Sequence, residues 1–184
     1  MTKEEQEAST WNQIRQNNQK IKLIGVDLNH GFFMGYDLSG ADLRSSDLTE
    51  AMLDDANLQK ANLSEANLTG TSFCDTDLRE AKLINAKLCD ADFCGANLSG
   101  ANFHKANLSN ADLSEDVDFS AVNLSKANLS GANLSGADLA GVDLSGANLC
   151  KADLRDADLT DANLRNTKFK KTNLVGAIMP DDCS

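Results

Sequence analysis

The sequence predicts an all-β solenoid, and two observations carry that prediction. A Leu or Phe recurs at every fifth residue from Leu28 to Leu113, and again from Phe119 to Leu174. Two residues before most of these centres stands a small residue, as at Ala41, Ala56, Ala61, Ala91, Ala132 and Ala157. A period of five suits neither ordinary element. On an α-helix it advances each side chain about 140° beyond a full turn, so the leucines would circle the axis. On a flat strand, whose faces alternate, it would throw successive leucines to opposite sides. Keeping every centre inside requires a corner once per five residues, which makes a coil whose sides are single pentapeptides. Gly and polar residues after the centres supply the turn chemistry.

The stretch ANLSGANLSGADLAGVDLSGANL, residues 127–149, resembles the pentapeptide-repeat proteins, whose pattern is A(D/N)LXX. The resemblance covers about residues 21–180, with about thirty repeats. It implies a right-handed quadrilateral β-helix of about eight coils, four pentapeptides to a coil. The centre and the small residue before it point inward, and the other three residues face solvent. Such a rod would be roughly 38 Å long at the usual strand spacing of about 4.8 Å. Each centre would stack on the one 20 residues away, placing Phe33, Leu53, Phe73 and Phe93 in one column. A filled interior leaves no room for a cofactor, and none is expected. The family is abundant in cyanobacteria, and most of its members lack a known biochemical activity.

In chain order, residues 1–20 lie outside the repeat. Thr2 and Glu5 read as a capping box, and Ala8, Trp11 and Ile14 fall at helical spacing. An amphipathic helix is therefore expected there, covering the open edge of the first coil. Phe32 and Met34 occupy outward positions with Met52 stacked against Phe32, a docking ground for that helix or for a partner. The repeats run over 21–180, with a one-residue bulge near 114–116, because the beat resumes one residue late at Phe119. An extra residue among Ser114, Glu115 and Asp116 makes a bulged corner and spares the core. Residues 181–184 form a short tail. Nothing in the pattern covers the last coil, where Val175, Ile178 and Met179 stand, so a homodimer contact is one candidate for that edge.

Four pentapeptides per coil sort the outward residues into four faces, numbered here from the one centred on Leu23. Face III, with centres 33, 53, 73, 93, 113, 134, 154 and 174, carries Asp54, Asp55, Asp75, Asp92, Asp112, Glu115, Asp116, Asp153 and Asp156 against Arg155 alone. Face IV follows it in every coil. It carries Asp37, Asp77, Glu80, Asp118, Asp138, Asp158, Asp161, Asp181 and Asp182 against Lys60 and Arg79. Faces I and II are net basic. Stacked carboxylates such as Asp118, Asp138 and Asp158 repel by roughly 1 kcal/mol even in bulk water, where Asn would form a ladder. A solubilising role and a partner surface at Asp54, Asp55, Asp75, Asp92, Asp112, Glu115, Asp116, Asp118, Asp138 and Asp158 both fit this pattern.

The net charge of −11 makes free nucleic acid and anionic membrane poor partners and basic proteins better ones. No signal peptide or membrane-spanning stretch is expected, and the cytoplasm is the default. Five cysteines without a CxxC fit reduced thiols. Cys74 and Cys94 would be neighbours, close enough for a disulfide but more simply two small side chains in a column. His30 and His104 fall on different faces, so no metal site is expected. No GxSxG, phosphate-binding loop or HExxH occurs, and carboxylates on a convex rod lack a cleft, so catalysis is not expected. The reading is a non-enzymatic rigid scaffold for protein–protein interaction. The resemblance implies the alternative, since some pentapeptide-repeat proteins bind DNA gyrase as DNA look-alikes: an acidic mimic of DNA that binds a DNA-handling enzyme such as a type II topoisomerase. About 18 acids over roughly 38 Å approach the one charge per 1.7 Å of duplex DNA.

Overall fold

The computed structural model describes residues 21–114, 117–119 and 122–181. The expected helix over 1–20, with Ala8, Trp11 and Ile14, lies outside the described residues, as do Glu115, Asp116 and the end of the tail. The described chain winds into a parallel, four-sided β-coil in which each residue before a centre pairs with its counterpart in the next turn. Lys22 pairs with Asp42, Asp42 with Asn62 and Asn62 with Lys82. Counted by that pairing, residues 21–181 make eight coils.

Each pentapeptide repeats one anatomy. The centre N–H donates to the following coil, as Leu43 does to the Asn62 carbonyl at 2.8 Å, and the Asn62 N–H returns a bond to the Ala41 carbonyl at 2.8 Å. Two residues past the centre the backbone enters the left-handed region, at Gly40 (φ 64°), Ser45 (φ 55°) and Glu50 (φ 54°). The residue after that closes a type II turn, as the Ser46 N–H does on the Leu43 carbonyl at 3.2 Å. The Asp or Asn before the centre secures the same turn, its Oδ1 accepting the N–H two residues on. The Ser39 N–H reaches Asp37 at 2.9 Å and the Gln59 N–H reaches Asn57 at 3.0 Å. Either side chain can do this, which explains why the repeat uses both.

The interior is filled by the centres and by the small residues before them. Leu48, Leu63, Phe73, Leu98 and Leu144 have no exposed surface, nor do Ala41, Ala61 and Ala101. Phe73 and Phe93 stack at 4.9 Å with their planes 7° apart, and Phe103 meets Phe93 edge-on at 6.0 Å. Where Thr replaces Ala, the buried hydroxyl bonds to a carbonyl of the previous coil. Thr71 reaches Leu48 and Thr76 reaches Leu53, each at 2.8 Å. Among the described residues no buried side-chain nitrogen or oxygen lacks a partner.

The pairing step is 20 residues through Asp92 with Asp112, becomes 21 at Asn97 with Asp118, and returns to 20 at Asn123 with Asp143. Leu113 and Val117 both lie inside. The added residue is therefore one of 114–116, at the corner where faces III and IV meet. Among the described residues the stacking is one-sided at the ends. Leu164, Phe169, Leu174 and Met179 of the last coil are only partly buried, as are Leu23 and Leu28 of the first. No helix of the described residues is long and apolar enough to cross a membrane.

Candidate interaction surfaces

The turn geometry decides where each charge sits. The residue before the centre lies flat on a face, the residue after it begins the turn, and the left-handed residue occupies the corner. Asp92, Asp112, Asp118, Asp138 and Asp158 hold the flat position; Asp54 begins a turn; Asp55 (φ 58°) and Asp75 (φ 55°) stand at corners. Asp92 pairs in parallel with Asp112, and Asp138 with Asp158. Carboxylates thus follow one another along the rod without an intervening cation.

Local donors engage several of these carboxylates. The Thr160 N–H (2.8 Å) and hydroxyl (2.5 Å) bind Asp158 and keep its carboxyl below the usual range. Asp112 accepts the Ser114 N–H and hydroxyl, at 3.2 and 2.7 Å, and the Asn133 amide at 3.1 Å. Asp92 accepts the Cys94 N–H and Asp138 the Ala140 N–H. Asp54 accepts the Ser72 hydroxyl and the Cys74 N–H. Partial burial, with Asp92 and Asp54 close by, pushes the Cys74 thiol up. Cys74 and Cys94 are both free thiols on face III.

Arg44, Arg79 and Arg155 do not neutralise neighbouring coils; each clasps the Asp two residues before it. Arg79 meets Asp77 at 2.5 Å, Arg155 meets Asp153 at 2.7 Å and Arg44 meets Asp42 at 2.7 Å. Their donors lower the Asp77 and Asp153 carboxyls. Only Lys60 with Glu80 at 3.6 Å and His30 with Glu50 at 3.2 Å join successive coils among the described residues. His104 instead bonds Ser125 at 2.8 Å, and among the described residues no cluster of three metal-binding side chains occurs.

The exposed large apolar side chains gather at the two ends. Phe32 (68% exposed) and Met34 (49%) lie on the first coil of face III, with half-buried Met52 paired to Phe32. Val175 (72%) and Ile178 (56%) lie on the last coil beside the partly buried Met179. Ile24 and Val26 add to the first end. They were legible as residues flanking the first centres, but the repeat reading passed over them. The pattern also places Lys151, Arg165, Lys168, Lys170 and Lys171 on the net-basic faces I and II. The fold gathers them on the last two coils of faces I and II, where none joins an ion pair among the described residues.

The family description "pentapeptide repeats" matches this chain in eight copies, which together span residues 20–114 and 118–179. Comparison with curated proteins finds no match. Among solved structures, the chain is similar to HetL, a pentapeptide-repeat protein involved in heterocyst differentiation regulation in the cyanobacterium Nostoc sp. strain PCC 7120. The identity is 33%, over 92% of this chain and 95% of that one, with a TM-score of 0.30. It is similar to a trypsin-treated form of QnrB1, a plasmid-mediated fluoroquinolone resistance protein. There the identity is 22% over 89% and 90% of the two chains, with a TM-score of 0.50. Rfr23 from the cyanobacterium Cyanothece 51142 matches at 23% identity over 94% and 99%, with a TM-score of 0.33. The QnrB1 likeness carries the fold, a right-handed β-helix, and nothing of function.

Proposed function

Because the chain belongs to the pentapeptide-repeat family, we propose that it works without catalysis, as a rigid rod whose faces III and IV dock a protein with a basic surface. One observation carries this reading: most carboxylates of the repeats fall on two adjacent faces, and the cations without an ion pair among the described residues fall on the other two. Asp138 over Asp158 and Asp92 over Asp112 are placed where Asn would bond to its neighbour. Charge there raises association rates with a basic partner while weakening the rod itself. Residues 1–20 are proposed to cover the first coil over Phe32, Met34 and Met52.

The test compares the wild type with a variant carrying Asp54→Asn, Asp75→Asn, Asp118→Asn, Asp138→Asn and Asp158→Asn in pull-downs over a salt series. A partner retained by the wild type alone and released by salt is the expected result. Equal recovery by both proteins would reduce the acidic faces to a solubilising surface. The spacing of the acids favours one second reading, mimicry of duplex DNA toward a DNA-handling enzyme such as a type II topoisomerase. Under it, duplex DNA added to the same assay displaces the partner. A partner indifferent to DNA would eliminate that reading and leave the first intact.

A further inference from the structure

Beyond the acidic faces, the last described coil carries a sheet edge that has no partner among the described residues. Between stacked coils, each face sends two N–H donors and one carbonyl toward the later coil. On face I these are Leu43 N–H to Asn62 O, Ser45 N–H to Ser64 O at 3.0 Å, and Ala41 O accepting from Asn62 N–H. On face II of the last coil the equivalent groups are Phe169 N–H, Lys171 N–H and Thr167 O. None has a partner among the described residues. Lys168, Lys170 and Lys171 are exposed on this edge, and Lys151 stands one coil back, its N–H on the Lys170 carbonyl at 3.0 Å. Arg165 holds the preceding turn. Arg44, Arg79 and Arg155 each carry a carboxylate clasp, whereas these five cations have none among the described residues.

The geometry points to this edge as a docking site for an extended acidic segment of a partner protein, added to face II as one more side of the coil. Strand addition to an open edge takes affinity from main-chain bonds and specificity from alternate side chains. The parallel pairing of Asn148 with Lys168 fixes the register of the incoming segment. The residue paired with Lys168 faces outward and is acidic; it donates to Thr167 O and accepts from Phe169 N–H. The next lies over Phe169, one-sided in its packing, and is apolar. The third stands beside Lys170, is acidic, and accepts from Lys171 N–H. The fourth lies beside Lys171, whose φ is 64°, and is Gly or acidic. A small residue over Thr167 completes the sequence small–acidic–apolar–acidic–Gly. The Thr167 carbonyl, which needs a donor beside the two N–H groups, favours a peptide over a nucleic acid, whose phosphates accept from N–H groups but donate nothing.

The experiment titrates the isotope-labelled full chain with the capped peptide Gly-Ala-Asp-Leu-Asp-Gly-Gly and follows the Phe169 and Lys171 amides by NMR. Both amides are expected to shift and to exchange with solvent more slowly. Binding should weaken about tenfold in a variant carrying Lys168→Gln, Lys170→Gln and Lys171→Gln, a few-fold for each exposed charge pair. It should be lost when the first Asp of the peptide is N-methylated, which removes a main-chain donor and leaves every charge in place. Equal binding by the N-methylated peptide, or by a scrambled peptide of the same composition, would overturn the proposal in favour of charge alone. Failure of the peptide to bind would also overturn it. So would protection of both amides without peptide in a chain that sediments as a dimer, because a second copy would then occupy the edge. None of these results bears on the acidic faces, so the two readings stand or fall separately.

Discussion

Charged residues stand at corners that glycine would fill with less strain. Lys105 (φ 59°), Glu65 (φ 62°) and Asp55 (φ 58°) adopt the left-handed backbone that Gly40, Gly70 and Gly100 occupy elsewhere. For a residue with a Cβ this conformation costs roughly 1–2 kcal/mol, partly offset by the chain entropy that glycine loses on folding. Lys105→Gly should therefore stabilise the fold by about 0.5 kcal/mol. At Gly40 an added Cβ would meet nothing within 4 Å, so Gly40→Ala isolates the backbone term and should destabilise by about 1 kcal/mol. Urea denaturation of the two variants checks both signs. The flat position offers a second test. In the Asn column, Asn128 donates its amide to Asn107 at 2.8 Å and Asn148 donates to Asn128 at 2.9 Å. Asp158 cannot donate to Asp138 in this way. Asp158→Asn can, and should add about 1 kcal/mol from one net hydrogen bond, read as a higher urea midpoint near neutral pH. The Arg79 clasp makes the opposite case for a carboxylate. Its donors hold Asp77 below its ordinary value of 3.8. The clasp's contribution is then complete above that pH and fades as pH falls through the lower folded pKa. The urea midpoint of the wild type should drop more steeply below about pH 4 than that of Asp77→Asn; parallel curves would leave the clasp without a role in stability.

The coil is the unit at the next scale, and its neighbours decide what a side chain contributes. Phe93 lies fully buried between Phe73 and Phe103. Phe93→Ala should cost about 3–5 kcal/mol. Leu164 sits on the open edge and is partly buried, so Leu164→Ala should cost about 1 kcal/mol, near the lower bound for burying a leucine. Thermal melts of the two variants compare a stacked coil with an unstacked one. Nearly all of this architecture is legible in the sequence, because each inward residue announces itself at a fixed interval. The slip at Phe119 locates the long coil for the same reason. What the repeat could not announce lies at its boundaries. The exposure of Val26, in an inward position, follows from its place on the first coil and not from its residue type. The amides of Phe169 and Lys171, without a partner among the described residues, are invisible in a pattern that looks the same at every coil. The proposed partner surface is legible only as charge, since an Asp that secures a turn and an Asp that would meet a partner occupy the same position.

For the whole molecule, the main-chain bonds between coils all run along the rod and all close loops of about one coil. Among the described residues the interior coils are held by main-chain bonds from both sides, and the first and last from one. Pulled by its ends, such a rod has its hydrogen bonds loaded along their own direction, one coil at a time, like the teeth of a zipper. Each event releases the 20 residues of one pairing step, about 70 Å of chain at roughly 3.4 Å per residue. In an optical trap the extension trace should therefore be a staircase of nearly equal steps advancing inward from the ends. A single cooperative rip would mean that the coils share load. As a mechanical element, the protein would then yield gradually under force and shorten its rigid length in units of one coil.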